Sequence, residues 1–590
     1  MNVKKKIFKV SCFFISAFMS MNMFLQQTLA KTPVDTFVMA WNLDAISTFD
    51  PAQTNDIYSH EIILNICSSM SMNMFLQQTL AKTPVDTFVM AWNLDAISTF
   101  DPAQTNDIYS HEIILNICSS LVDYSPNDAT KIVPNLAKSW DVSGENNTII
   151  TFHLRDDLKF VDGRSASASD LVWSMKRVVK LDMAGAALFK EYGITQQTVD
   201  AAIQALNEKT VVMKFDKPYP AELILNNIAA NPVALLLDRE TIMKHEKNGD
   251  IGNKYLTTHS ACVGPYQLLS WRVGEAVLLG VNSHYWGEEP KLKKVLIRHV
   301  AEPSTQRLLL EKKDVDVARD LTVEILEDLQ ATTDIRIEKL LLPAMFYWGF
   351  NMTHPILAHE KVRLAMRYLI DYEGLGKTVL KGIGIPRSSF MPIGALGALS
   401  EKEGLPFKLD LKRAKQLLTE AGYPNGFEIS VLIGNSDALQ LIQSIQDNAA
   451  KVGIRLKIKR LAGTQLFSKV STRAFETIIL GWNSESLDPH TTAARIVYNP
   501  DNRFESKNTA YPSWQHGYFD EKMNQQIKDA LFEKDQKKRI QRYVDLQLEL
   551  MQKGPYAFLY QKYNVVAVSP VIKKWVWNSV PRVFYNAVEK

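Results

Sequence analysis

The sequence lacks the short motifs that most often betray an enzyme. There is no His-Glu-x-x-His, no Gly-x-Ser-x-Gly and no Cys-x-x-Cys pair, and the histidines are scattered in a way that suits structural roles better than a metal site. Gly374-Leu375-Gly376-Lys377-Thr378 imitates the end of a phosphate-binding loop, but Asp371 stands five residues before Gly376 where that loop needs glycine. An excess of either charge is also missing. Lys4, Lys5, Lys6 and Lys9 supply four positive charges of the formal +3, so the rest of the chain stands at −1. A protein that holds nucleic acid by neutralising phosphates needs a basic excess, and that class is excluded. Beyond the first thirty residues no run is long and apolar enough to span a bilayer.

What is present is ordinary globular composition, 46% hydrophobic and 22% charged over 590 residues, enough for several domains. Residues 1–30 read as a secretory signal: the basic start Lys4-Lys5-Lys6, an apolar stretch from Val10 to Leu25, then Thr28-Leu29-Ala30 with small residues at Thr28 and Ala30. Cleavage after Ala30 is expected to release a soluble, periplasmic protein. Cys12 precedes the end of the apolar run, the wrong place for a lipidated cysteine.

Met19–Ser69 returns without a change as Met70–Ser120, so Asp50-Pro51 recurs as Asp101-Pro102 and Cys67 as Cys118. Two identical copies are not a repeat architecture, which needs several diverged units. Only the second copy runs on into Leu121-Val122-Asp123-Tyr124. The folded body is therefore expected to start near Lys82, with residues 31–81 as a surplus arm.

Further along, Thr148–Phe160 alternates in part as a half-buried strand, Val161-Asp162-Gly163-Arg164 reads as a turn, and Ser169 caps a helix running from Asp170 to Val179. Strands are expected at 276–280, 294–300, 454–458 and 557–568, and helices at 410–421, 438–452, 522–532 and 535–551. This alternation predicts mixed α/β domains.

Six fragments then stand in order: Val133-Pro134-Asn135-Leu136-Ala137-Lys138-Ser139-Trp140 with Thr151-Phe152-His153-Leu154-Arg155; Lys159-Phe160-Val161-Asp162-Gly163; Gly264-Pro265-Tyr266; Asn282-Ser283-His284-Tyr285-Trp286-Gly287; Val362-Arg363-Leu364-Ala365-Met366 with Ile370-Asp371; and Glu420-Ala421-Gly422-Tyr423-Pro424-Asn425-Gly426-Phe427. Here the chain resembles the bacterial extracellular solute-binding proteins of family 5, the periplasmic oligopeptide-, dipeptide- and nickel-binding proteins of ABC transporters. The resemblance implies a type II periplasmic binding protein of the large peptide-binding subclass. Its two α/β lobes, the first discontinuous, are joined by a hinge and close around the ligand. Lobe I is expected at 82–300 plus 565–590 and lobe II at 301–564, with crossings near Arg298–Pro303 and Tyr560–Val568. The implied role is capture of di- or oligopeptides for inner-membrane permease subunits, by a monomer without a cofactor. Haem, a nickel chelate or a sugar conjugate are the other ligands the resemblance allows. An exported hydrolase using dispersed residues is the alternative from another class, and cleavage of a peptide pool would separate the two.

A binder indifferent to side chains must read the peptide amine, and a carboxylate facing it makes a charge-assisted hydrogen bond. Gly481-Trp482-Asn483-Ser484-Glu485-Ser486-Leu487-Asp488-Pro489 resembles the family's loop for this task, with Glu485 at the position of its amine-binding Asp, one methylene longer. Trp482 and Asn483 join it as candidate ligand contacts, the other reading of Trp482 being a core aromatic. Asp488 is either a ligand contact or a turn former before Pro489. Arg387 is the candidate for a ligand carboxylate, with plain surface exposure as the alternative. Tyr109 either faces the cleft or merely starts a helix. Cys118 and Cys262 remain once the signal and first copy are set aside. Export permits a disulfide between them, and the sequence leaves open whether they are bonded or two buried thiols.

Overall fold

A computed structural model describes residues 85–145, 148–484, 486–580 and 582–590. The expected signal, the first copy of the repeat, Lys82 and Glu485 lie outside the described residues. Those from Val85 onward belong to one compact body, 84–590.

Its main sheet has eleven strands. In spatial order they are Arg455–Arg460, Glu428–Ile433, Thr477–Asn483, Arg336–Phe350, Tyr556–Val568, Val317–Ala318, Thr87–Trp92, Lys294–His299, Ala276–Val281 and Tyr266–Arg272, and Gly384–Pro386 pairs off this path with Tyr556–Val568. Thr87–Trp92 lies between two parallel neighbours and every residue of Thr-Phe-Val-Met-Ala-Trp is buried, as the unbroken apolar run of a strand covered on both faces requires. This is the second copy of the repeated stretch.

The two longest strands join the halves of the molecule. Arg336–Leu341 pairs antiparallel with Tyr563–Val568, and Met345–Gly349 with Tyr556–Gln561; the register breaks between Leu341 and Met345. Pro343 falls in that break, where a residue without a backbone N–H leaves the ladder incomplete. On one side, Phe88, Met90, Val277, Val295, Ile297, Val566 and Val568 share a core with the helix Ile108–Ile117. On the other, Trp348, Phe350, Val431, Ile479 and Leu559 pack beneath the helices Glu360–Arg367, Leu411–Glu420 and Ser436–Lys451. Residues 303–332, with helices Pro303–Glu311 and Val323–Thr332, lie against the first side, since Leu310, Val315, Leu326 and Leu329 pack on Val89 and Ala91.

A third core belongs to a smaller sheet ordered Ala137–Ser143, Ile149–Leu154, Thr210–Lys214, Ile203–Asn207, covered by the helix Ala168–Leu181. That helix starts two residues earlier than the reading with Ser169 as its cap put it. Ser167 is the cap, its hydroxyl and backbone N–H both meeting the Asp170 carboxylate. The helices expected at 410–421, 438–452, 522–532 and 535–551 appear as Leu411–Glu420, Ser436–Lys451, Glu521–Leu531 and Gln536–Lys553.

Cys118 and Cys262 form a disulfide, with their α-carbons 4.9 Å apart. Beside it Gly264 lies so close to Ile117 that an added Cβ would sit 2.3 Å from the carbonyl oxygen, so glycine is required there. Asn282 donates to the Gly264 carbonyl at 2.9 Å, which ties two of the sequence fragments together.

Candidate functional site

The strand Thr477–Asn483 pairs along Ala344–Phe350 and ends at the register break, placing Asn483 opposite Ala344 and Trp482 opposite Met345. Trp482 is half-buried against the second half's core, with its indole N–H enclosed and without a partner; Asn483 is exposed. The chain then leaves the sheet in a short loop that its own hydroxyls brace. The Ser484 N–H donates to the Pro343 carbonyl at 2.8 Å, the Ser484 hydroxyl to the Ser486 carbonyl at 2.7 Å, and Thr492 to the Ser484 hydroxyl at 2.8 Å. Leu487, at the far end, is buried in the core of the smaller sheet, and its backbone meets the Tyr124 hydroxyl. The loop thus runs from the junction of the long strands to the opposite half of the molecule.

Of the two readings of Asp488, the geometry follows the turn former before Pro489. Its carboxylate accepts from His490 N at 2.8 Å, capping the helix Pro489–Ile496, and forms a two-pronged ion pair with Arg539 at 2.8 and 3.0 Å. The Asp488 side chain is fully enclosed, and its oxygens are committed to cap and guanidinium rather than to a ligand. Proline at the first helical position and an aspartate cap before it are what the Asp-Pro pair supplies. Around this pair His490 meets the Tyr543 hydroxyl at 2.9 Å, and burial lowers the imidazole to about 4, so it is neutral at physiological pH.

Arg387 departs from the alternative of plain surface exposure. It is completely buried, and its guanidinium donates to the carbonyls of Met391, Leu399 and Ser400, the last two at 2.7 and 3.0 Å. Loop carbonyls use up the fork that a ligand carboxylate would need, because the chain around 391–404 folds back over it.

Tyr109 lies on the first half, in the opening turn of Ile108–Ile117, half-buried with its ring centroid 4.8 Å from that of Trp92. Burial, then the negative charge of Asp320, raises its pKa, so the phenol keeps its proton. Arg319 lies 3.8 Å over the other ring of the pair, Trp92, and is itself neutralised by buried Glu112. In the same turn Thr105 Oγ1, Asp107 Oδ2, Ser110 Oγ and His111 Nε2 are enclosed without hydrogen-bond partners. Tyr109, Asp107 and Ser110 belong to a polar turn that the sequence marks ahead of the helix, whereas Thr105 and His111 carry no such signal. Tyr124 and Arg539 were missed as well, because each acts through a partner far away in the chain.

Among the described residues no group of three or more His, Cys, Asp or Glu is placed to hold a metal ion, and no helix is long and apolar enough to cross a membrane.

Comparison with known proteins supplies the family. Residues 131–504 match the bacterial extracellular solute-binding proteins, family 5 Middle. A curated relative, the probable D,D-dipeptide-binding periplasmic protein DdpA of Escherichia coli, is 24% identical over 86% of this chain and 94% of its own length. Among solved structures, the periplasmic binding protein DppA of Helicobacter pylori in complex with the peptide STSA superposes with a TM-score of 0.69 at 24% identity, covering 85% of this chain and 98% of that one. NikZ of Campylobacter jejuni with Ni(L-His) superposes with a TM-score of 0.69 at 21% identity, over 86% and 100%. The fold is therefore the two-lobed, type II periplasmic binding protein, and the chain belongs to family 5 of the bacterial extracellular solute-binding proteins, a solute carrier and not an enzyme.

Proposed function

We propose that this protein captures short peptides in the periplasm and hands them to the membrane subunits of an ABC transporter. One observation carries the reading: the loop 484–488 starts at the junction of the two long strands in one half and ends buried in the core of the other, so a ligand held there touches both halves. Lobe I then comprises the sheet strands from Thr87 to Ala318, the smaller sheet and the C-terminal tail. Lobe II comprises 345–560. We place the crossing at Leu341–Ala344, where the register breaks, rather than at Arg298–Pro303, because 303–332 packs on Thr87–Trp92. The return runs through Gln561–Tyr563. Glu485 sits in the loop between Ser484 and Ser486 and receives the ligand amine, and Trp482 and Asn483 line the approach. The names of the relatives, which bind a D,D-dipeptide and the peptide STSA, favour peptides over other ligands. We take the carrier to work as a monomer. Native mass spectrometry of protein purified without denaturation tests this. A retained mass that fragments as a peptide is expected, whereas haem, a nickel–histidine complex or a sugar conjugate would redirect the ligand class.

A further inference from the structure

Away from the strands that cross between them, the halves also touch where the smaller sheet's unit meets lobe II. Arg495, on the helix Pro489–Ile496, forms an ion pair with Glu191, the last residue of the helix Ala186–Glu191, and lies over the ring of Tyr511 in its own half. The Tyr219 and Phe532 rings stand 5.8 Å apart, centroid to centroid. The Tyr219 hydroxyl donates to the Glu191 carbonyl at 3.3 Å, which joins the ring contact and the ion pair into one unit. Leu531, next to Phe532, packs on the smaller sheet's core.

The two faces of the main sheet are built differently. Phe88, Met90 and Trp92 face the side of the smaller sheet, since Leu235 and Leu237 join their core and the intervening Leu236 joins that of the smaller sheet; Val89 and Ala91 face residues 303–332. On that second face a cavity of about 480 Å³ lies between the helix Val323–Thr332 and Lys381–Gly382 of lobe II, beside Ile337 and Lys339 on the strand that leads to the crossing. A rotation about the crossing that parts one face presses the other together. The contacts of Glu191 and Tyr219 lie on the face that parts when the cleft opens, and the cavity is the room into which the back of lobe II then moves.

We propose that the Glu191–Arg495 pair and the Tyr219–Phe532 contact form a latch that holds this carrier closed before any ligand arrives. This rests on the division into lobes given above and on no choice of ligand. In a carrier closed by its ligand alone, part of the ligand's contact energy goes into bringing the lobes together. A latch removes that requirement, so affinity for whatever the cleft accepts rises with the closed population. The four side chains engage one another across the lobes, so they set how long the cleft stays shut and not which solute it takes.

The test is small-angle X-ray scattering from the ligand-stripped, full-length exported protein, with a melting scan of each variant as the control for folding. Glu191 and Phe532 are partly exposed, so Glu191→Arg, which sets two guanidinium groups against each other, and Phe532→Ala both leave the cores intact. Each is expected to give a larger radius of gyration than the unaltered protein. Adding Arg495→Glu to Glu191→Arg restores opposite charges and is expected to bring the radius back towards the unaltered value, which a structural defect at either position would not do. A radius that Glu191→Arg and Phe532→Ala both leave unchanged overturns the latch. A swapped pair as wide as Glu191→Arg overturns the ion pair as its cause. No ligand enters the measurement, so the peptide reading stands or falls separately.

Discussion

Replacing Cys262 with serine opens the bond to Cys118, which closes a loop across a sequence separation of 144 residues. In the chain-entropy account a loop of that length restrains the unfolded chain by about 5 kcal/mol, and measured losses on removing native disulfides run from about 2 to 5 kcal/mol. At about 2.1 cal/mol/K per residue, a body of roughly 500 residues that unfolds as one unit has an unfolding entropy of roughly 1 kcal/mol/K near 60 °C. The loss therefore reads as a melting temperature lower by about 2–5 °C. Differential scanning calorimetry of Cys262→Ser and of the unaltered protein, each with and without reductant, gives the comparison. Reductant should bring the unaltered protein to the variant's value and leave the variant unmoved. Cys262→Ser is the variant to use, because Cys118→Ser leaves Cys67, in an identical sequence context, as a competing partner for Cys262. Equal melting temperatures for variant and unaltered protein, with the Cys118–Cys262 bond confirmed by peptide mapping, would refute the argument.

Glu485→Gln keeps the shape and removes the charge, and is expected to cost peptide affinity about 2–5 kcal/mol, roughly thirtyfold to several-thousandfold; equal binding of free and N-acetylated peptides by both proteins would remove Glu485 as amine receptor. Arg539→Met leaves the enclosed Asp488 carboxylate without its partner and should destabilise the protein by about 3–5 kcal/mol in denaturant titration, and adding Asp488→Asn should restore part of the loss. Burial holds both His490 and His516 at about 4 in the folded protein. The unfolded value is about 6.5, so the unfolded chain binds more protons below that pH. Stability should be full above about pH 6.5 and fall as the pH drops towards 4, and His490→Gln should flatten part of that slope in melts recorded against pH. Limited proteolysis of the exported protein should trim it to a core starting near Lys82; a core starting near Lys31 would mean that the first copy is the one in use.

The fragments that made the chain legible are mostly architectural. Arg363 donates to the carbonyls of Lys553 and Gly554, Asn282 to that of Gly264, and the Asp162-Gly163 turn depends on the positive φ of Gly163 and on the bond from Arg164 N to Asp162. Such residues report a fold because their partners are backbone, and the two-lobed architecture was implied by their resemblance to the family's motifs. The site was less legible. Asp488 and Arg387 are charged loop residues, as a ligand contact would be, and their commitments to Arg539 and to the carbonyls at 391–400 depend on chain 51 residues away in one case and on a local fold-back in the other. Local pattern carries neither. The crossing we propose differs from the expected one for a similar reason. A helix beginning at Pro303 looks like the start of a new lobe until Leu310 and Leu329 are found against Val89 and Ala91.

The strand Tyr556–Val568 lies in the middle of the main sheet, paired with Arg336–Phe350, Val317–Ala318 and Gly384–Pro386, yet it is among the last segments of the chain to be synthesised. Until it leaves the ribosome, Arg336–Phe350, the other strand shared by the two halves, waits without this partner. Contacts this distant in sequence form slowly. A nascent chain of this design cannot complete its main sheet until nearly all of it has been made. Placing a late strand at the centre thus makes completion of the main sheet wait for the last part of the chain.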